Sequence, residues 1–333
     1  MNNFKVINTL LSYLNEEEIS LLIPCAINLP NNKSPLFEYG KFIREINHYK
    51  IRNHVKTWLD AHYNFCDCRV PKLIDVIYHV IMRQGCKLES INIYYELPKP
   101  SIFANYELGI KNLYSLKMEC IDFKVDTIEF LSMLSIKCNK IVECNLKISY
   151  NRNLEINPLI DIIKSQPLKK VLIETYSIDE ITQRILNALE FRSKTLKMLK
   201  IKTYNFQRID LLFIANLECL EHLELFLHYS GGSEIHNYET LTKKKFQFKV
   251  VRLWYKHDFE TNLLNVGIIT SWFVGESLRK LYLNFVTLET IKAVLGGYKR
   301  SFGMSKEELK IINYLVRKGV DIVQSNLLID IFI

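Results

Sequence analysis

Residues 220–225 read Leu220-Glu221-His222-Leu223-Glu224-Leu225, with apolar side chains at the first, fourth and sixth places. The same spacing occurs in Leu88, Ile91 and Ile93; in Leu113, Leu116 and Met118; in Ile141, Cys144 and Leu146; and in Leu168, Val171 and Ile173. It continues in Leu196, Leu199 and Ile201; in Phe248, Val251 and Leu253; and in Leu278, Leu281 and Leu283. The first places, 88, 113, 141, 168, 196, 220, 248 and 278, are separated by 25, 28, 27, 28, 24, 28 and 30 residues. One such hexamer carries little information in a chain that is 48% hydrophobic; eight at so narrow a spacing amount to a repeat architecture.

Within each trio the fourth and sixth places alternate as in a strand with one buried face, and the first marks the chain turning into that strand. The intervals supply the elements that cover the buried face. Ile181, Ile185, Leu186 and Leu189 recur at helical spacing behind the capping-box sequence Ser177-Ile178-Asp179-Glu180. Leu211, Leu212, Ile214 and Leu217 predict another helix, as do Leu263, Leu264, Ile268, Ile269 and Trp272. Repeats of roughly 20–29 residues with this pattern are leucine-rich repeats, in which no unit buries its own apolar side and neighbours share one elongated core. The expected fold is therefore an α/β leucine-rich-repeat solenoid, a horseshoe with parallel inner strands and outer helices, over residues 85–333.

Residues 1–84 do not carry the repeat and are expected to form a helical N-terminal cap. Phe4, Ile7, Leu10, Leu11 and Leu14 form one helical face, and Asn15-Glu16-Glu17-Glu18 caps a second helix through Ile23. Further helical faces are read at Phe37, Phe42, Ile43 and Ile46, and at Ile74, Val76, Ile77, Val80 and Ile81. Beyond the last trio, helices are expected around Leu288–Leu295 and Leu309–Leu315, with a closing strand in residues 327–333. The segment between Leu225 and Phe248 has few apolar anchors and reads as a loop or irregular helix.

The 44 basic and 36 acidic residues leave a net charge of +8, which favours solubility without demanding nucleic acid. There is no apolar run of roughly 20 residues to span a membrane, and no signal-peptide core at the N-terminus. A cytoplasmic or nuclear location is expected. Cys120, Cys138, Cys144 and Cys219 sit in or beside repeat segments, where cysteine acts as a small hydrophobe, and Cys25 and Cys86 are isolated. Cys66-Asp67-Cys68, between His62 and His79, departs from the spacing of zinc sites, so the reading is reduced structural thiols and no metal. Gly231-Gly232 and Gly296-Gly297 lack the spacing of a phosphate cradle, the eight histidines form no His-Glu-x-x-His, and no serine lies in a Gly-x-Ser-x-Gly elbow. The chain is expected to be a binding scaffold with no catalytic residue and no cofactor.

The trios, with phrases such as Leu189-Glu190-Phe191-Arg192-Ser193-Lys194-Thr195-Leu196 and Leu217-Glu218-Cys219-Leu220-Glu221-His222-Leu223, resemble the ribonuclease-inhibitor-like repeats of F-box proteins. Ile7-Asn8-Thr9-Leu10-Leu11-Ser12-Tyr13-Leu14, Ile27-Asn28-Leu29-Pro30 and Pro35-Leu36-Phe37-Glu38-Tyr39 are similar to an expanded fungal set of F-box-like proteins. That resemblance implies that the repeats hold a target protein, as in a ubiquitin-ligase substrate receptor whose F-box engages the Skp adaptor. The family's F-box would lie upstream of Ile7, where six residues stand, so adaptor binding by this chain is not expected.

In such a solenoid the places between and just after the trio positions face away from the core. One row holds Asn92, Lys117, Asn145, Leu172, Lys200, Glu224, Arg252 and Tyr282; the next holds Tyr94, Glu119, Lys147, Glu174, Lys202, Phe226, Trp254 and Asn284. Phe226, Arg252, Trp254 and Tyr282 fall on adjacent strands and belong to the residue types that dominate protein interfaces, so they are the candidate partner-binding residues on the concave face. The competing placement puts Trp254 under the 229–247 segment, as core. The alternative function is a nucleic-acid-binding scaffold, suggested by Lys117, Lys147, Lys170, Lys200, Lys202 and Arg252; the interleaved Glu119, Glu143, Glu174 and Glu224 argue against a continuous phosphate track.

Overall fold

Two residues after the first trio member, a strand begins. In the computed structural model the strands are β1 (Glu45–Asn47), β2 (Ser90–Tyr94), β3 (Ser115–Ile121), β4 (Glu143–Ile148), β5 (Lys170–Thr175), β6 (Met198–Thr203), β7 (His222–His228), β8 (Val250–Lys256), β9 (Lys280–Asn284) and β10 (Asp321–Gln324). The structure describes residues 3–27, 29, 37–63, 68–94, 97, 99–121, 125–148, 155–176, 179–203, 210–228, 246–256, 278–284 and 321–324. The helices and strand expected around Leu263–Trp272, Leu288–Leu295, Leu309–Leu315 and 327–333, and the cap at Ser177, lie outside these residues.

Two compact units carry the strands: Met1–Lys147 with Asn153–Pro167, and Ile148–Arg152 with Leu168–Ile333. In the first, β1 pairs with β2 and β2 with β3, all parallel. In the second, β5 to β10 pair in chain order, again all parallel. The register is without stagger: Ile91 faces Leu116, and Leu199 faces Leu223, which faces Val251. This is the α/β repeat architecture that the trios predict, with parallel strands and helices alongside.

The backbone explains the register. At Glu89, Tyr114, Lys169, Lys197, Glu221 and Lys249, the carbonyl at the second place of the hexamer accepts two amides from the next repeat. Glu89 O receives Tyr114 N at 2.8 Å and Ser115 N at 2.9 Å; Lys197 O receives Glu221 N and His222 N, both at 2.9 Å; Lys249 O receives Arg279 N at 2.9 Å and Lys280 N at 3.0 Å. With both lone pairs of one carbonyl engaged, each strand starts level with its predecessor. In the eight trios read from the sequence, every side chain that the structure describes is buried, the most exposed being Leu278 at 5%.

The first unit is rich in helices: α1 (Asn3–Leu11), α2 (Glu16–Leu22), α3 (His48–His62), α4 (Arg69–Arg83), α5 (Pro100–Asn105), α6 (Glu107–Ile110), α7 (Val125–Lys137) and α8 (Asn157–Ser165). The expected capping box of α2 is formed, with Asn15 Oδ1 accepting from Glu18 N at 2.8 Å and Glu18 Oε2 accepting from Asn15 N at 3.0 Å. The buried Glu18 carboxylate also takes two bonds from Arg83, at 3.0 and 2.9 Å, which joins α2 to α4. The Trp58 indole donates to Asn8 at 2.7 Å and joins α1 to α3. Tyr78, Phe103 and Phe130 meet edge to face at 5.7 and 5.4 Å, carrying one aromatic core from α4 through α5 to α7. Gly85, with φ +78°, supplies the left-handed residue that ends α4.

Three expectations are corrected. Phe37, Phe42, Ile43 and Ile46 do not share a helix: Tyr39–Phe42 is a single 3-10 turn with Phe37 and Phe42 exposed, and Ile46 lies in β1. β1 belongs to a repeat inside the region read as purely helical, since Ile46 is in register with Ile91 and the Arg44 carbonyl takes Glu89 N and Ser90 N. Its trio is Ile43, Ile46 and His48; the polar third member hid it. The buried His48 is accommodated because its Nδ1 lies 3.0 Å from the buried Tyr78 hydroxyl. Second, the eight trios do not mark every strand: besides β1, β10 spans Asp321–Gln324, parallel to β9 and in register with Lys280–Leu283. Third, Leu211–Leu217 form only the 3-10 turn Leu212–Asn216, in the shortest interval between trios, 24 residues from Leu196 to Leu220. The preceding interval does hold the expected helix, α9 (Asp179–Ala188), tied to that turn by Gln183, which accepts from Asp210 N at 2.7 Å and donates to Asp210 O at 3.1 Å.

Two measurements test this architecture. Leu223→Ala, at a fully buried trio place, should lower unfolding free energy by about 2–5 kcal/mol in urea titrations, and a loss below about 1 kcal/mol would contradict the shared core. Burial, with Arg52 adding to it, lowers the His48 pKa from 6.5 to about 4. The unfolded chain thus takes up a proton that the folded chain refuses, so this contribution is intact above pH 6.5 and is lost as pH falls toward 4. The loss should reach about 3 kcal/mol and should vanish in His48→Asn; equal pH slopes for the two proteins would refute it.

Candidate functional site

Alternation along each strand sends the fourth and sixth places into the core and the fifth and seventh to the opposite face. In the second unit the fifth places form one row, with Lys200 opposite Glu224, Glu224 opposite Arg252, and Arg252 opposite Tyr282. The seventh places form a second row, with Lys202 opposite Phe226 and Phe226 opposite Trp254. Residues 24 to 30 apart in sequence thereby stand about 4.8 Å apart. All four candidate residues, Phe226, Arg252, Trp254 and Tyr282, are brought together on this face.

Their contacts are specific. The Phe226 and Trp254 rings stack at 4.9 Å with planes 6° apart. The Arg252 guanidinium lies over the Tyr282 ring at 4.6 Å, and its Nη1 donates to Glu224 Oε1 at 2.9 Å. Lys200 Nζ stands 3.5 Å from Glu224 Oε2 and 4.8 Å from the Phe226 ring centre, so it ties the two rows together. Trp254 is half-buried on this outer face and is not part of the trio core. Residues 229–245, which the competing placement would set above it, lie outside the described residues.

Sequence reasoning placed Glu224 and Lys200 in the rows without counting them in the site. Glu224 is the hub: its side chain is 8% exposed and it faces two cations, whereas the Arg252 side chain remains 37% exposed. The alternation of Lys, Glu and Arg at the fifth places of three successive repeats was the signal available. Beside the hub, Lys202 Nζ pairs with Glu174 Oε1 at 2.9 Å, and the same oxygen accepts from the Tyr176 hydroxyl at 2.9 Å. Two buried donors on this face, Arg252 Nε and Trp254 Nε1, have no acceptor among the described residues.

The first unit's rows are built differently. Lys117 pairs with Glu119 along one strand at 2.5 Å, and Tyr94 meets Tyr49 edge to face at 5.2 Å. Burial pushes the thiol of Cys86 up to about 11 and those of Cys138 and Cys144 up to about 12, which keeps them protonated. His62, weighed as a metal ligand, stacks on Trp58 at 4.6 Å with its Nδ1 2.8 Å from the Trp58 carbonyl, and Cys66 and Asp67 lie outside the described residues. Among the described residues no helix is long and apolar enough to cross a membrane.

No protein-family model matches the chain, and no curated protein matches it either.

Glu224→Gln would leave Lys200 and Arg252 facing each other without a countercharge. The expected destabilisation is about 1–3 kcal/mol in urea titrations, below the figure for a fully buried pair because Arg252 keeps part of its solvent. A change within about 0.5 kcal/mol would remove Glu224 as the hub.

Proposed function

We propose that the chain is a non-catalytic protein-interaction scaffold of the substrate-receptor kind that its resemblance to F-box-like repeat proteins suggests, binding its target on the sheet face that carries Phe226, Arg252, Trp254 and Tyr282. The observation that carries this reading is the stacked Phe226–Trp254 pair beside the Arg252–Tyr282 contact, on the face turned away from the core. Large rings held rigid by stacking lose little entropy on binding, and Trp, Tyr and Arg are the residues most enriched among interface hot spots. The ion pairs of the sheet support protein over nucleic acid as the partner. Lys117, Lys200, Lys202 and Arg252 each have a glutamate partner, which breaks up the run of free cations that a phosphate backbone would need.

Affinity capture with the full chain tests the reading. Trp254→Ala and Arg252→Ala should each reduce capture of the target about tenfold or more while the melting temperature stays within a few degrees of the parent. Undiminished capture by both variants would move the interface elsewhere. A large loss of stability in Trp254→Ala would return that side chain to a structural role.

A further inference from the structure

The groups on this face differ in sign and in hydrogen-bonding capacity from those of a self-contained surface. Glu224 is one carboxylate shared by two cations, so Lys200, Glu224 and Arg252 together carry one net positive charge. The unmatched buried polar atoms, Arg252 Nε and Trp254 Nε1, are both N–H donors, and they sit two residues apart on the same face of β8. A buried donor without an acceptor carries an uncompensated desolvation cost, which an incoming oxygen would offset once it displaces what covers the donor. What the face lacks is an acceptor that is also an anion. Next to it lies an apolar platform, Phe226 on Trp254, 6° from coplanar.

Spacing narrows the ligand further. Arg252 and Trp254 are two places apart on one strand, about 6.6–6.8 Å, and alternate side chains of an extended peptide repeat at the same distance. A peptide lying along β8 would therefore present one side chain to Arg252 and Lys200 and the next but one to Trp254 and Phe226.

We infer that this face takes an extended, acidic segment of a partner protein, with a carboxylate on Arg252 and Lys200 and, two residues away, an aromatic or large apolar side chain on the Phe226–Trp254 pair. The inference rests on the interaction face proposed above and adds the chemistry of what binds there. The carboxylate completes the coordination of the two cations that Glu224 shares, and the ring extends the existing stack. A nucleic acid would meet the same donors, but with Lys202 held by Glu174 it would find a single net charge and no track of free cations.

The test uses the full-length chain and four fluorescent probes: peptides with an acidic–x–aromatic core, the same peptides with lysine for the acid, the same with serine for the ring, and oligothymidylate. The acidic–x–aromatic peptides should bind best. Added salt should weaken them, and lysine or serine replacement should cost about tenfold or more. Arg252→Met, which keeps the bulk and removes the charge, should lower affinity for the acidic probe by about tenfold, with circular dichroism unchanged. Preference for the lysine peptides, abolished by Trp254→Ala, would overturn the acidic assignment while keeping the interaction face. Binding of none of the peptides would overturn the inference and leave the face to the capture experiment, and binding of oligothymidylate alone would overturn both.

Discussion

A single carbonyl per repeat governs this protein. The residue between the first trio member and the strand offers its oxygen to two successive amides of the next repeat, as Tyr114 does for Val142 at 2.8 Å and Glu143 at 3.1 Å. Parallel strands joined by long crossovers have no tight turn to set their register. The double bond supplies one, and a slip of one residue would turn the trio toward water. Backbone geometry and burial therefore select the same alignment, strand after strand within each unit.

Zero stagger also builds the outer face. Because each fifth place stands opposite the next, residues on β6, β7, β8 and β9 become neighbours without any local sequence relation. Glu224 illustrates the consequence. It is buried only because Lys200 and Arg252 reach it from the strands on either side, and a carboxylate at that exposure without such partners would carry a desolvation cost. The charges of the face thus support the fold, and the stacked Phe226 and Trp254 rings lie beside them.

The departures from the repeat have local physical causes. His48 occupies a trio place because Tyr78 on α4 answers its ring nitrogen inside the core. The Leu211–Leu217 stretch is apolar at helical spacing, yet it forms a 3-10 turn that Gln183 anchors through the Asp210 backbone. Neither departure disturbs the carbonyl ladder on its side of the sheet: Arg44 and Lys197 accept their pairs of amides like the others.

The period of the trios was enough to determine the α/β repeat class, the buried positions and the composition of the outer rows, because those depend on spacing and on the two-residue alternation of a strand. The capping box at Asn15 and the helix over Arg69–Arg83 were legible for the same reason, being local patterns. Hidden from the sequence was β1, whose trio place holds His48, since a polar residue is tolerated there only when a tertiary neighbour such as Tyr78 satisfies it. The four candidate residues could be named in advance, but Glu224 as hub, the near-coplanar stack of Phe226 on Trp254 and the unmatched donors of Arg252 and Trp254 could not. Those depend on rotamers chosen across strands 24 to 30 residues apart, a choice made by packing and electrostatics in three dimensions.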